Sequence, residues 1–201
     1  MVGEFWDEMY AGDDYRYGLT PNAWVVSSEA RLPRGARVLS IGDGEGRNGV
    51  WLAERGHHVT TIDASARGAE KARALAAQRG VDIDARSGHF PDDIDDTGFD
   101  AVVMIYVHTT PDTRAALHAA AVQRLERGGA IILEAFTPEQ LAFSSGGPRN
   151  PAMLYTAEQI ASDFAHLEVD ALEACQVELD EGPGHRGPAA VVRAFARRAD
   201  G

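Results

Sequence analysis

The chain has 201 residues, 31 acidic against 19 basic side chains, a formal net charge of −12 and one cysteine. That surplus repels a phosphate backbone, so nucleic acid is not an expected partner, and lone Cys175 supports neither an internal disulfide nor a cysteine zinc cluster. No apolar run reaches the roughly 18 to 20 residues of a membrane helix, and residues 1–8 lack the basic-then-apolar order of a signal peptide, so one cytoplasmic domain over 1–201, with no membrane partner, is expected.

Residues 1–20 are rich in aromatics (Trp6, Tyr10, Tyr15, Tyr17) and end in Thr20-Pro21, a hydroxyl set before a proline suited to a first helical position. From residue 36 aliphatic runs alternate with amphipathic stretches. The runs at 38–41, 59–62, 101–105 and 130–133 are near-continuous, the mark of strands covered on both faces in a parallel sheet. Ser65 caps a predicted helix that stops at Gly80. Thr110-Pro111 opens another, with Leu117, Ala121 and Leu125 on one face. Thr156-Ala157-Glu158-Gln159 is a capping box ahead of Ile160 and Phe164. With right-handed crossovers this alternation gives an open α/β sheet with helices on both faces. Residues 167–179 and 189–196 read as two strands whose connection is too short for a parallel crossover. An antiparallel hairpin over 165–198 therefore finishes the sheet. The acidic run at 91–96 reads as a solvated loop.

Gly42, Gly44 and Gly46 follow the first strand directly and open the next helix, a placement that makes the pattern far more specific than the glycines alone. Glycine permits a sharp turn and lets a ligand approach the backbone. Dinucleotide sites want Gly-x-Gly-x-x-Gly, with a pyrophosphate on the helix N-terminus. Here the third glycine comes one residue early, and Asp43 and Glu45 would oppose a pyrophosphate by about 1 kcal/mol each. A sulfonium and an ammonium group suit them better. Asp63 stands 21 positions beyond Gly42 at the end of the second strand, placed to accept hydrogen bonds from both hydroxyls of a nucleoside's ribose. Charge-assisted bonds of this kind contribute about 1.5–3 kcal/mol each.

These residues carry a resemblance. Together with Trp6-Asp7-Glu8-Met9-Tyr10, Tyr15-Arg16-Tyr17-Gly18, Pro21-Asn22, Leu125-Glu126-Arg127-Gly128-Gly129 and Glu181-Gly182-Pro183-Gly184-His185-Arg186-Gly187, the turn resembles that of class I S-adenosylmethionine-dependent methyltransferases. Within that class the chain is most similar to the small bacterial enzymes related to tellurite-resistance and thiopurine methyltransferases. The resemblance implies a single-domain Rossmann-like fold, a seven-stranded sheet in the order 3-2-1-4-5-7-6 with strand 7 antiparallel. It implies S-adenosylmethionine as cofactor, a cofactor-binding core over 36–135, and residues 1–20 as a lid. The expected cofactor contacts are Tyr17, Gly42, Asp43, Gly44, Gly46, Asn48, Asp63, Ala64, His89, Phe90 and Ile105. Ser40 stands where the class usually has an acid that holds the cofactor's ammonium. Asp43 or a water on Ser40 is expected to take over, or the affinity is lower.

In open α/β sheets ligands bind beyond the carboxyl ends of the strands. Residues 105–108, residues 134–137 and the loop at 182–187 are therefore expected to converge on the transferred methyl group. Alignment for in-line displacement supplies much of such a rate, and a base is needed only where the nucleophile must lose a proton. His108 is the candidate base by position, and Tyr106, His185 and Arg186 are candidate substrate contacts. His57, His58, His118 and His166 have no metal-ligand spacing, and no metal is expected. The chain lacks Asn/Asp-Pro-Pro-Tyr/Phe after the fourth strand, a motif of enzymes that methylate nucleic-acid bases. The reading is a methyltransferase for a small molecule at a sulfur, oxygen or metalloid centre. The alternatives are a nicotinamide-dependent oxidoreductase and a catalytically silent cofactor-binding module.

Overall fold

In the computed structural model, which describes residues 2–199, the aliphatic runs become the centre of a seven-stranded sheet. Residues 1, 200 and 201 of the expected domain lie outside the described residues. The strands are β1 (Arg37–Ile41), β2 (His58–Asp63), β3 (Asp84–Ser87), β4 (Phe99–Ile105), β5 (Leu125–Phe136), β6 (Glu168–Asp180) and β7 (Arg186–Arg197). Their order is β3-β2-β1-β4-β5-β7-β6. Strands β1 to β5 pair in parallel, and β7 runs antiparallel between β5 and β6. This is the expected class I methyltransferase architecture.

The central strands are buried on both faces because helices cover each. Val102, Ile131, Met104 and Leu133 pack against α5 (Pro111–Arg124) and α6 (Ala157–Asp163) through Val122, Ile160 and Phe164. On the opposite face Val38, Val103 and Ile132 meet α2 (Ala23–Glu29) and α3 (Arg47–Glu54) through Trp24, Val25 and Leu52. The fourteen-residue α4 (Ala66–Arg79) starts where expected, with Ser65 Oγ accepting from Gly68 N at 2.8 Å, and stops at Gly80 in the left-handed region. Thr156 and Gln159 form the full capping box of α6.

Two expectations shift. The helix anticipated at Thr20-Pro21 starts later, capped by Asn22, whose side-chain oxygen accepts from the amides of Trp24 and Val25. A carboxamide there serves the orphan amides as well as a hydroxyl does. Leu125 also leaves its helix and begins β5, opposite Phe99. In the opening segment α1 (Val2–Met9) docks on the first turn of α4, where Asp7 accepts from Ser65 Oγ at 2.6 Å and Arg67 N at 3.0 Å. That position favours a carboxylate, because the first-turn amides of a helix carry partial positive charge.

Candidate active site

The chain leaves β1 and β4 toward opposite faces of the sheet, and the site lies along the carboxyl rim at that switch point. At the β1–β2 end Gly44 takes φ +58° and sits against Tyr10, whose Oη lies 2.6 Å from where a Cβ would stand. A side chain at Gly46 would instead collide with Ala72 on α4, so this third glycine serves helix packing. Asp63 accepts from Gly44 N and Ser65 N, each at 2.8 Å with a different oxygen. Both oxygens are aimed by backbone amides and retain further acceptor capacity. Burial, opposed by those two amides, raises the Asp63 pKa above the ordinary carboxylate value.

Asp43 and Glu45 are engaged differently from the expectation. Asp43 turns inward, accepting from Ser40 Oγ at 2.8 Å and Gly49 N at 3.1 Å. Ser40 therefore serves the turn itself. Desolvation pushes the Asp43 pKa up to about 7 in spite of these bonds. Glu45 pairs with Lys71 at 2.5 Å and accepts from Arg16 N at 2.8 Å.

At the β4–β5 end charges come from four separate stretches of chain. Glu134 is fully buried near the end of β5. It accepts from Asn22 Nδ2 at 2.7 Å, Tyr106 Oη at 2.6 Å and Arg193 Nε at 2.5 Å. Glu181, in the β6–β7 turn, accepts from Asn22 Nδ2 at 3.0 Å and Arg47 Nη2 at 2.8 Å; against its own burial, the adjacent His185 ring and the Arg47 guanidinium hold its pKa below the usual carboxylate value. Tyr106 takes φ +57°, a conformation rare for a residue with a side chain. Its ring stacks on Phe136 at 4.5 Å and meets His185 edge-on at 4.6 Å, and His185 lies 4.3 Å from the ring of Tyr17. Tyr17, Tyr106, Phe136 and His185 thus form one aromatic cluster above the charge network.

The structure brings Tyr17, Gly42, Asp43, Gly44, Asp63, Ala64, Ile105, Tyr106 and His185 to this rim. Other expected residues have different roles. His108 is half-buried with both ring nitrogens engaged: Nδ1 bonds to Met153 O at 2.7 Å and Nε2 accepts from Phe136 N at 3.1 Å. Burial pushes its pKa down to about 4. An imidazole so occupied is a neutral strut, and the structure does not give it the role of base. Arg186 has a side chain 74% exposed and, among the described residues, pairs only with Asp180 on the surface, away from the rim. Asn48 spends its side-chain oxygen on Asn22 N at 2.8 Å, fixing the N-cap of α2. His89 is exposed, with its amide donating to Asp93 at 2.7 Å. Phe90 packs on the core beneath the Arg124 guanidinium. Asn22 stands in the Pro21-Asn22 motif and Glu134 in the segment expected at the rim, but the sequence assigns neither a role; Arg47 follows the glycine turn without one, and Arg193 carries no local motif.

The methyltransferase-domain family model matches residues 38–129, from β1 into β5. A tRNA (uracil(54)-C(5))-methyltransferase of Pyrococcus abyssi is 28% identical over 156 residues, covering 70% of this chain and 37% of that protein. A ubiquinone biosynthesis O-methyltransferase of Xanthomonas axonopodis pv. citri is 35% identical over 119 residues, covering 57% of this chain and 49% of that protein. The chain thus matches between about a third and a half of the length of these curated relatives. The crystal structure of TehB from Haemophilus influenzae superposes with a TM-score of 0.72 at 14% identity, covering 98% of this chain and 67% of that one. The sheet order, the glycine turn and the acid closing β2 define a class I methyltransferase fold. Residues 38–129 thus match a methyltransferase domain set within that fold, and TehB is among the chain's structural neighbours.

Proposed function

We propose that the chain transfers a methyl group from S-adenosylmethionine to a small molecule through a sulfur, oxygen or metalloid centre. One observation carries the reading: a single rim holds Asp63 beside the glycine turn at one end and the cluster of Tyr17, Tyr106, Phe136 and His185 at the other. When bound, the cofactor supplies an electrophilic methyl group on a sulfonium. Asp63 would hold the ribose hydroxyls, and Gly42 and Gly44 leave room for the ligand against the backbone. The acids around the turn favour a cationic ligand there.

The acceptor end narrows the chemistry. Glu134 and Glu181 are each held by an arginine and Asn22, and both nitrogens of His108 are occupied. These groups at the acceptor end are committed to structure, which favours an acceptor that reaches the site deprotonated, such as a thiolate or a metalloid oxyanion, over an alkyl alcohol. Aromatic walls with little formal charge suit a small, polarizable guest. The net charge of −12 supports a small molecule over tRNA, the substrate named for the Pyrococcus relative.

Calorimetry with S-adenosylhomocysteine and NAD tests the cofactor, and a radiolabelled methyl-transfer panel tests the acceptor. The panel holds thiols, phenols, carboxylates, tellurite and selenite, with unmodified tRNA as a further arm. Binding of S-adenosylhomocysteine and not NAD, with label in a small acceptor, is expected. Label entering tRNA alone would sink the acceptor reading, and tight binding with no turnover would favour the silent module.

A further inference from the structure

Lys71 is the only lysine in the chain, and it is 7% exposed. Its ammonium donates to the carbonyls of Gly12 at 2.9 Å and Asp14 at 2.8 Å, and meets the Glu45 carboxylate at 2.5 Å. It also lies 4.9 Å from the ring centre of Tyr15, whose hydroxyl donates to Lys71 O at 3.2 Å. The other oxygen of Glu45 accepts from Arg16 N. One cation thus joins α4, the glycine turn and the strap of chain at 10–18. Both hydrogen bonds the ammonium donates go to strap carbonyls, and the Glu45 contact is an ion pair beside them. Lifting the strap would strip both hydrogen bonds from a cation that is 7% exposed, and an unsatisfied buried charge is costly.

The latched strap covers the glycine turn. Tyr10 lies on Gly44, Arg16 O accepts from Gly184 N at 2.9 Å, and Tyr17 stacks on His185. The space left between Tyr17, Gly18, Asp43, Glu45 and Arg47 is about 20 Å³. That is close to the room for one water, whereas small-molecule sites span roughly 300–1,000 Å³. Asp63 and Ala64 stay partly open beside it.

We propose that Lys71 is a positioning residue that latches the strap at 10–18 over the amino-acid half of the cofactor groove, so that cofactor enters and leaves only when the bonds from Lys71 to the Gly12 and Asp14 carbonyls open. The identity of the ligand rests on the methyltransferase reading; the latch does not. A ligand that binds only the open state has its apparent affinity reduced by the open fraction. Loosening the latch therefore speeds both entry and release.

The test uses the full chain with Lys71→Met, which keeps bulk and removes charge, and Lys71→Arg, which restores charge. Glu45→Gln replaces Lys71→Met if that variant does not fold. Arg16 makes the strap a trypsin site, and its cleavage reads local opening. Cleavage at Arg16 is expected to quicken at least about tenfold in Lys71→Met, the scale of losing one charge-assisted hydrogen bond, and to return toward wild type in Lys71→Arg. Stopped-flow tryptophan fluorescence should show S-adenosylhomocysteine associating and dissociating faster in Lys71→Met. Unchanged cleavage at Arg16 overturns the latch. Faster cleavage with unchanged association overturns its control of the groove. If neither protein binds S-adenosylhomocysteine, the cofactor reading and the gating both fall, and cleavage still decides the latch.

Discussion

Around the glycine turn three carboxylates, Asp43, Glu45 and Asp63, share one close ammonium, that of Lys71. At the other end of the rim Glu134 and Glu181 are matched one for one by Arg193 and Arg47, with Asn22 bridging both acids. Burial raises the pKa values of Asp43 and Asp63, while that of Glu181 is lowered. The first end keeps uncompensated negative charge that a cationic ligand would relieve. The second is a closed circuit that fixes Tyr106 and His185 in place. On the proposed function, binding and rigidity fall to opposite ends of one strand rim, and variants should separate them.

The largest effect is expected at the closed circuit. Glu134→Ala leaves the Arg193 guanidinium, the Asn22 amide and the Tyr106 hydroxyl without their common acceptor. Removing one partner of a buried pair costs about 3–5 kcal/mol, so urea denaturation should show a loss of that size. A change below about 1 kcal/mol, the ordinary scale of a surface pair, would show that the circuit is not what holds this end together.

Asp63→Ala should act on binding. Two charge-assisted bonds of about 1.5–3 kcal/mol each correspond to a loss of more than about a hundredfold in affinity for S-adenosylhomocysteine, measured by calorimetry. Wild-type affinity in this variant would remove Asp63 from the ribose and blur the contrast between the two ends.

The two ends should also differ in the sign of their pH dependence. Asp43 titrates at about 7 when folded and near 3.8 when unfolded. Between these values the unfolded chain has released the proton that the folded chain still holds, so stability falls as pH rises from about 4 to about 7. His108 titrates at about 4 when folded against an unperturbed 6.5. On acidification the unfolded chain takes up the proton first, so its contribution is complete above about 6.5 and is lost as pH falls toward 4. The two slopes oppose each other over the same range, so in urea midpoints across pH 4–8 Asp43→Asn should leave stability rising with pH and His108→Gln should leave it falling. If the pH dependence of turnover keeps its wild-type shape in His108→Gln, the imidazole is a strut; loss of an ionisation near pH 4 would restore it as a base.

The same contrast explains what was legible in the sequence. The cofactor end is built from contiguous chain: a glycine turn joined to its strand and helix, and an acid closing the next strand. Local spacing states such a site outright, and Ser65, Gly80 and the Thr156 capping box were readable for the same reason. The acceptor end is assembled from residues 22, 47, 106, 134, 181 and 193, which meet only after the sheet has formed. No window of sequence holds two of them at an informative spacing. The contacts of His108 were hidden for the same reason, because both of its partners are backbone atoms of distant segments, Met153 and Phe136, and backbone partners leave no trace in residue identity. The hairpin loop misled through proximity: His185 and Arg186 are neighbours in sequence, yet one is 5% exposed inside the aromatic cluster and the other lies on the surface.

That difference supplies the smallest expected effect. Successive residues of an extended strand point to opposite sides, and Arg186 opens β7 just after His185 turns inward. Its only ion pair among the described residues is with Asp180, itself 82% exposed, at 3.3 Å, and water competes fully for both. Arg186→Ala should leave the thermal midpoint, the affinity for S-adenosylhomocysteine and the acceptor KM unchanged. His185→Ala should raise the acceptor KM, because it removes the ring that joins Tyr17 to Tyr106. A tenfold rise in acceptor KM in Arg186→Ala would mean that an anionic acceptor reaches past the aromatic cluster to the outer face of the hairpin, and the acceptor end would then extend beyond the closed circuit.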